Sequence, residues 1–138
     1  MVDGVAHLVG EHGKVVCIDL QEVTIENLIK RAKSAGLDKQ MKIRSCSQDS
    51  LRIDDIREEM DFALAFAVVH EVSNRGVLFK EIFNALKPGG KLLVAEPMGH
   101  VGQKHFEDSI SLAQKEGFSI VQRPKIERSY SVLLSKTF

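Results

Sequence analysis

The sequence predicts an α/β fold built on a mostly parallel sheet, and three observations predict it. Phe62, Ala63, Leu64, Ala65, Phe66, Ala67, Val68 and Val69 form an unbroken apolar run directly after Asp61. Such a run suits a strand buried on both faces, where neither side can carry polar groups. A second run, Leu92, Leu93, Val94 and Ala95, follows Lys87, Pro88, Gly89, Gly90 and Lys91. Between the runs, Val77, Leu78, Ile82, Phe83 and Leu86 recur at helical spacing. Pro88 stops that helix and the glycine pair permits a sharp turn. Strand, helix and strand make a crossover unit, so the two strands are expected to be parallel neighbours. The third observation is that helical and extended patterns alternate along the whole chain, which calls for a sheet with helices on both faces.

Taken in order, Val2, Val5, Ala6, Leu8 and Val9 suggest a short amphipathic helix closed by Gly10 and Gly13. Residues 14–19 follow as a buried strand ending on Asp19. Ile25, Leu28, Ile29 and Ala32 form the stripe of the next helix, with Gly36 as its stop. Residues 41–45 alternate enough for a peripheral strand. Residues 47–59 are polar and read as a loop with one helical turn. The crossover unit comes next, its helix beginning at His70 and Glu71. Phe106, Ile110, Leu112 and Ala113 build a last helix, ended by Gly117. Residues 118–122 and 130–135 are two final strands. The seven residues between them suit an antiparallel pair with an open loop.

The 138 residues are expected to form one domain over the whole chain, 1–138, large enough for its own core. Nineteen basic and nineteen acidic residues cancel. That balance favours neither nucleic acid nor an anionic membrane as a partner. No apolar stretch approaches the roughly 20 residues of a membrane span. No signal-peptide pattern opens the chain. Cys17 and Cys46 have no metal-ligand spacing around them, and buried thiols in a reducing cytoplasm are the expectation.

In open α/β sheets, ligands bind outside the carboxyl ends of the strands. The positions to weigh are therefore Asp19 and Leu20, then Cys46, Ser47 and Gln48, then Ala65, Phe66 and Ala67, then Glu96 and Pro97. A carboxylate at Asp19 can accept two hydrogen bonds from a ribose diol, or simply cap a helix. His70 could act as a base beside a reacting group, or be a surface or capping histidine. Glu96 either orients a ligand or caps a helix. His100 and His105 have no partner that the sequence names.

Four segments together resemble the class I S-adenosylmethionine-dependent methyltransferases of small-molecule type. Residues 13–19, GKVVCID, look like that family's second strand with its terminal acid. Residues 61–71, DFALAFAVVHE, are similar to its fourth strand and following helix. Residues 86–92, LKPGGKL, look like its turn into the fifth strand. Glu116, Gly117 and Phe118 followed by two strands resemble the antiparallel ending of its sheet. The resemblance implies a three-layer, Rossmann-like sheet, mostly parallel with an antiparallel C-terminal strand. It also implies S-adenosylmethionine as cofactor and S-adenosylhomocysteine as product. By the same resemblance Asp19 would hold the ribose and Leu20 would pack on the adenine. Ser47, or Asp49 two residues on, would meet the adenine amino group, and Gln48 would offer a backbone N–H. Ala65 and Phe66 would line the cofactor's centre, with Phe66 standing where polar residues are common in the family.

One departure is as telling. The family begins with a strand and a glycine-rich loop, and here Met1 already stands in the helix expected after that loop. Gly4, Gly10 and Gly13 do not follow a buried strand. The N-terminal strand is thus missing from the expected sheet, where it would lie between the second and fourth. Weak cofactor binding by this chain alone is the resulting expectation. Two repairs of the sheet are available: the flanking strands pair directly, which is the favoured one, or a second copy fills the gap as a homodimer.

Three functions follow from the residues. The first is methyl transfer to a small-molecule acceptor, by this chain or by an enzyme of which it is a fragment. No catalytic dyad is needed for that, because positioning and desolvation supply much of the rate. The second is a non-catalytic, methyltransferase-like module acting by protein association. The third, a nicotinamide-dependent oxidoreductase, is disfavoured by the missing GxGxxG and by the two terminal strands.

Overall fold

The computed structural model describes residues 14–19, 30, 33–34, 41–45, 55–66, 69, 72–99 and 101–137; at 15–19, 41–45 and 66 the description is of the backbone. The elements run β1 (Val15–Asp19), β2 (Met41–Ser45), β3 (Met60–Phe66), α1 (Arg75–Ala85), β4 (Leu86–Pro97), α2 (Gln103–Lys115), β5 (Phe118–Gln122) and β6 (Ser129–Lys136). They form one six-stranded sheet of order β2-β1-β3-β4-β6-β5. The pairs β1–β2, β1–β3 and β3–β4 are parallel, and β6 is antiparallel to both its neighbours. The expected mostly parallel sheet with an antiparallel C-terminal strand is therefore the one observed.

β1 pairs directly with β3, with Val15 opposite Phe62 and Ile18 opposite Ala65. The seam is tied at its start, where the N–H groups of Asp61 and Phe62 donate to the carbonyl of Lys14, at 3.0 and 3.2 Å. The Lys14 N–H returns a bond to Asp61 Oδ2 at 2.9 Å. Of the two repairs open to the sheet, direct pairing is the one present. The expected helices over 2–9 and 24–33 lie outside the described residues, apart from Lys30 and Lys33, which are helical and exposed.

Alternation along the strands sets the two faces of the sheet. Ala63, Ala65, Leu92, Val94, Val132 and Leu134 pack in one core with Leu78, Phe79 and Ile82 of α1 and Phe106, Ile110 and Ala113 of α2. Phe62, Leu64, Leu93 and Ala95 point the other way and are buried too. Burial on both faces is why the strands read as continuous apolar runs. The two helices also meet through Arg75, whose Nη1 donates to the His105 carbonyl and to Ser109 Oγ at 3.1 and 2.8 Å. Ser109 is buried on the inner face of α2, and Leu112 packs partly buried against the same core.

Three boundaries differ from the sequence expectation, each for a local reason. β3 ends at Phe66, short of the apolar run's last residue, Val69, whose N–H donates to the Glu96 side chain. The crossover helix starts at Arg75 and not at His70. Asn74 caps it, its side chain accepting the Val77 N–H at 3.1 Å. His70 and Glu71 lie outside the described residues. Finally, Lys87, Pro88, Gly89 and Gly90 do not join helix to strand. Leu86 already pairs with Met60 and Lys91 with Phe62, so the four residues are an excursion inside β4. Gly89 takes φ +84°, and a Cβ on Gly90 would stand 2.8 Å from the Lys87 carbonyl oxygen. Lys87 Nζ reaches Asp61 at 3.5 Å, which ties two separately read sequence segments together at the amino end of the sheet.

Candidate functional site at the carboxyl edge

The register brings the ends of the parallel strands into one row. Asp19, last in β1, is paired with Ser45, last in β2. Ile18 is opposite Ala65, Ala65 opposite Val94, and Phe66 opposite Ala95. Asp19, Phe66 and Glu96 thus stand at successive strand ends along one edge. Ala65 is fully buried in the core beneath it. Leu20, Ser47 and Gln48 lie outside the described residues, as do Asp49 and the side chains of Asp19 and Phe66.

Glu96 is the charged group that the fold buries at this edge, at 2% exposure. It closes an apolar strand, and its Oε1 accepts the Val69 N–H at 2.8 Å. The bond fastens the turn after β3 to the end of β4. A buried carboxylate needs such donors to offset its lost hydration. The sequence left Glu96 between orienting a ligand and capping a helix; the structure shows one of its oxygens bonded to the Val69 N–H.

Next to this edge lies a groove of about 430 Å³ that the sequence did not reveal. Its walls are the end of β4 at Met98, the first turns of α2 at Gln103, Phe106 and Glu107, and the loop from Arg123 to Glu127. Phe106 and Tyr130 stack in its floor, ring centroids 5.7 Å apart and planes 28° from parallel. The loop is held at four points. Arg123 donates two bonds to the Glu107 carboxylate, at 2.6 and 3.0 Å. Ser131 Oγ donates to the Pro124 carbonyl. The Ser129 N–H bonds to Ile126, and the Met98 N–H donates to Arg128, which sits at φ 57°. The bond to Glu107 pushes the Arg123 guanidinium further above its already high ordinary pKa. Phe106 and Tyr130 lie 24 positions apart in sequence, so only tertiary structure shows them as a pair.

Among the described residues, no three His, Cys, Asp or Glu side chains could hold a metal ion. No described helix is long and apolar enough to cross a membrane.

A family profile described as "Methyltransferase domain" matches residues 3–94. A comparison with curated proteins gave no match. Among solved structures, the chain is similar to an S-adenosylmethionine-dependent methyltransferase from Aquifex aeolicus, with TM-score 0.72 and 18% identity, over 98% of this chain and 75% of that one. It is also similar to an S-adenosylmethionine-dependent methyltransferase from Mesorhizobium loti, with TM-score 0.65 and 13% identity, over 96% of each chain. A third likeness, to the [4+2]-cyclase SpnF, has TM-score 0.59 and 21% identity and covers 88% of this chain and 60% of that one. At these identities the structures establish the fold, which one of them uses under the name of a cyclase.

Proposed function

The chain belongs to the methyltransferase-domain family, whose cofactor is S-adenosylmethionine, and on that premise we propose that it takes part in methyl transfer to a small-molecule acceptor. The observation that supports this reading is the row of Asp19, Phe66 and Glu96 at the ends of β1, β3 and β4. It is the edge where parallel sheets bind ligands. Asp19 is assigned the ribose diol, for which a carboxylate offers acceptors in pairs. Leu20 is assigned the adenine face, Ser47 and Gln48 the adenine edge, and Ala65 and Phe66 the centre of the cofactor. The cofactor's sulfonium supplies an activated methyl group and is left as a neutral thioether when a nucleophile takes it. The chain's part is to hold the acceptor close and dry, which needs no charged base. The reading places the protein in the cytoplasm, with Cys17 and Cys46 as thiols.

Calorimetric titration with S-adenosylhomocysteine, with NAD as the control, tests the cofactor assignment. A dissociation constant in the micromolar range supports it. Asp19→Ala is then expected to weaken binding by about 1.5–3 kcal/mol, the scale of lost charge-assisted hydrogen bonds. An unchanged affinity would remove Asp19 from the site.

The direct pairing of β1 with β3 favours a second reading, a methyltransferase-like module that works by association. Binding of S-adenosylhomocysteine no tighter than millimolar, with a fold that remains cooperative, would select this reading. Sedimentation at several concentrations would then show whether a second copy is the partner.

A further inference from the structure

We propose that the groove between α2 and the β5–β6 loop binds an uncharged, flat aromatic compound bearing a hydroxyl, and that this compound is the methyl acceptor: its hydroxyl oxygen would form the O–CH3 bond as the cofactor's S–CH3 bond breaks to leave the neutral thioether, with the hydroxyl proton passing to solvent water. The acceptor role rests on the methyl-transfer reading above; the aromatic site does not.

The stacked rings of Phe106 and Tyr130 form the groove's floor, and Met98, Pro124 and Ile126 add apolar surface. Phe106 is buried beneath Tyr130, so the Tyr130 ring and the Met98 thioether are what meet a ligand, and they favour a flat ring through stacking and sulfur contacts. Met98 is 51% exposed although it is a large apolar side chain. A ligand that covered it would remove that surface from water. The volume of about 430 Å³ falls in the range of small-molecule sites and suits one or two fused rings.

Charge decides the rest. Arg123 and Glu107 pair through two bonds, so their charges offset one another at the groove. Lys125 and Glu127 at the rim add one charge of each sign. The lining is therefore neutral in sum, and it matches an uncharged ring better than an anion or a cation. Gln103, Ser129 and Ser131 give polar atoms for a hydroxyl.

The groove is also pre-formed. Four fastenings hold its loop, and Arg128 keeps a left-handed conformation that a side-chain-bearing residue rarely adopts. Backbone strain of this kind is held at functional loops where the surroundings fix it. Position completes the case. Glu96 is in register with Tyr130, and Pro97 with Ser129, so the groove opens beside the strand ends assigned to the cofactor.

The chain carries one tyrosine and no tryptophan. Tyr130 is thus a built-in reporter of occupancy, in NMR through its ring signals. The experiment titrates the full chain with 2-naphthol, against cyclohexanol and 2-naphthoate as uncharged non-aromatic and charged aromatic controls. A saturable shift of the Tyr130 ring with 2-naphthol is expected, with each control at least tenfold weaker. Met98→Asp and Ile126→Asp, at exposed and half-buried positions, are each expected to weaken the response at least tenfold while the amide spectrum remains that of a folded chain.

A Tyr130 ring that does not move, or equal responses to all three compounds, would overturn the proposal. Titration with S-adenosylhomocysteine in the same sample separates the two layers of the argument. Cofactor binding without a 2-naphthol response overturns the groove and leaves the methyl-transfer reading standing. A 2-naphthol response without cofactor binding supports the aromatic site and overturns its role as acceptor site.

Discussion

At the amino end of the sheet Lys136 is 3% exposed, and at the carboxyl end Glu96 is 2% exposed. Both are charges on strand termini, and both find partners in the backbone. Lys136 donates to the carbonyls of Phe83 and Leu86 at 2.7 and 2.8 Å. It also lies 4.4 Å from the centre of the Phe83 ring and 3.7 Å from the Glu58 carboxylate. Its charge thus caps the C-terminus of α1, where the helix dipole is negative. Glu96 accepts an N–H from Val69 in the turn after β3. One charge completes a regular element. The other ties the backbone at Val69 to the end of β4, beside the edge proposed for the ligand. The amino-end charge is held by two carbonyls and a helix end, the carboxyl-end charge by the Val69 N–H.

The largest effect is expected from Lys136→Met. It removes two charge-assisted bonds to buried carbonyls and should cost about 3 kcal/mol, read from urea denaturation. Affinity for S-adenosylhomocysteine, where measurable, should hardly change. A loss below about 1 kcal/mol would show that the capping bonds contribute little in solution. Gly90→Ala, at the same end, comes next. The new methyl would meet the Lys87 carbonyl oxygen at 2.8 Å, and relieving that clash should cost about 2 kcal/mol. Its thermal midpoint should fall accordingly.

Glu96 sharpens the comparison at the other end. Glu96→Gln keeps an oxygen for the Val69 N–H and should cost about 1 kcal/mol. Glu96→Ala orphans that N–H and should cost about 2 kcal/mol. Hydrogen exchange at the Val69 amide reads the difference directly. Equal protection in the wild type and the alanine variant would mean that the carboxylate does not hold the turn. Arg123→Gln has the smallest expected effect on stability, about 0.5 kcal/mol or less, since both partners are nearly half exposed. Denaturation at low and high salt checks it, because the difference from wild type should shrink as salt rises.

The parts of the fold visible in the sequence were those written in local pattern. The β3–α1–β4 crossover followed from two apolar runs and a helical stripe. The final antiparallel pair followed from Gly117, which takes φ +116°, and from the spacing after it. Boundaries failed where a distant partner decides them. Val69 lies beyond β3, and its N–H goes to Glu96, 27 residues later, a partner that no local pattern shows. Lys87, Pro88, Gly89 and Gly90 looked like a connection because nothing local shows that Leu86 already pairs with Met60. Lys136 lay just beyond the strand expected at 130–135, yet it closes β6 and is buried against a helix end 50 residues away. At the site, Asp19 and Phe66 could be placed on a shared edge from pattern alone. The groove could not, since its floor and walls come from segments that meet only in three dimensions.

The strand order β4-β6-β5 carries a consequence for how the molecule is made. β5 is synthesised before β6, yet it has no place in the sheet until β6 lies between it and β4. Until β6 follows, it has no strand partner in the chain, and Ile120 and Val121 stay 39% and 49% exposed in the finished fold. β5 thus joins the sheet only through a strand made after it, and it remains the sheet's outer edge once folding is complete. Its exposed Ile120 and Val121 make that edge the place where a second chain could add itself.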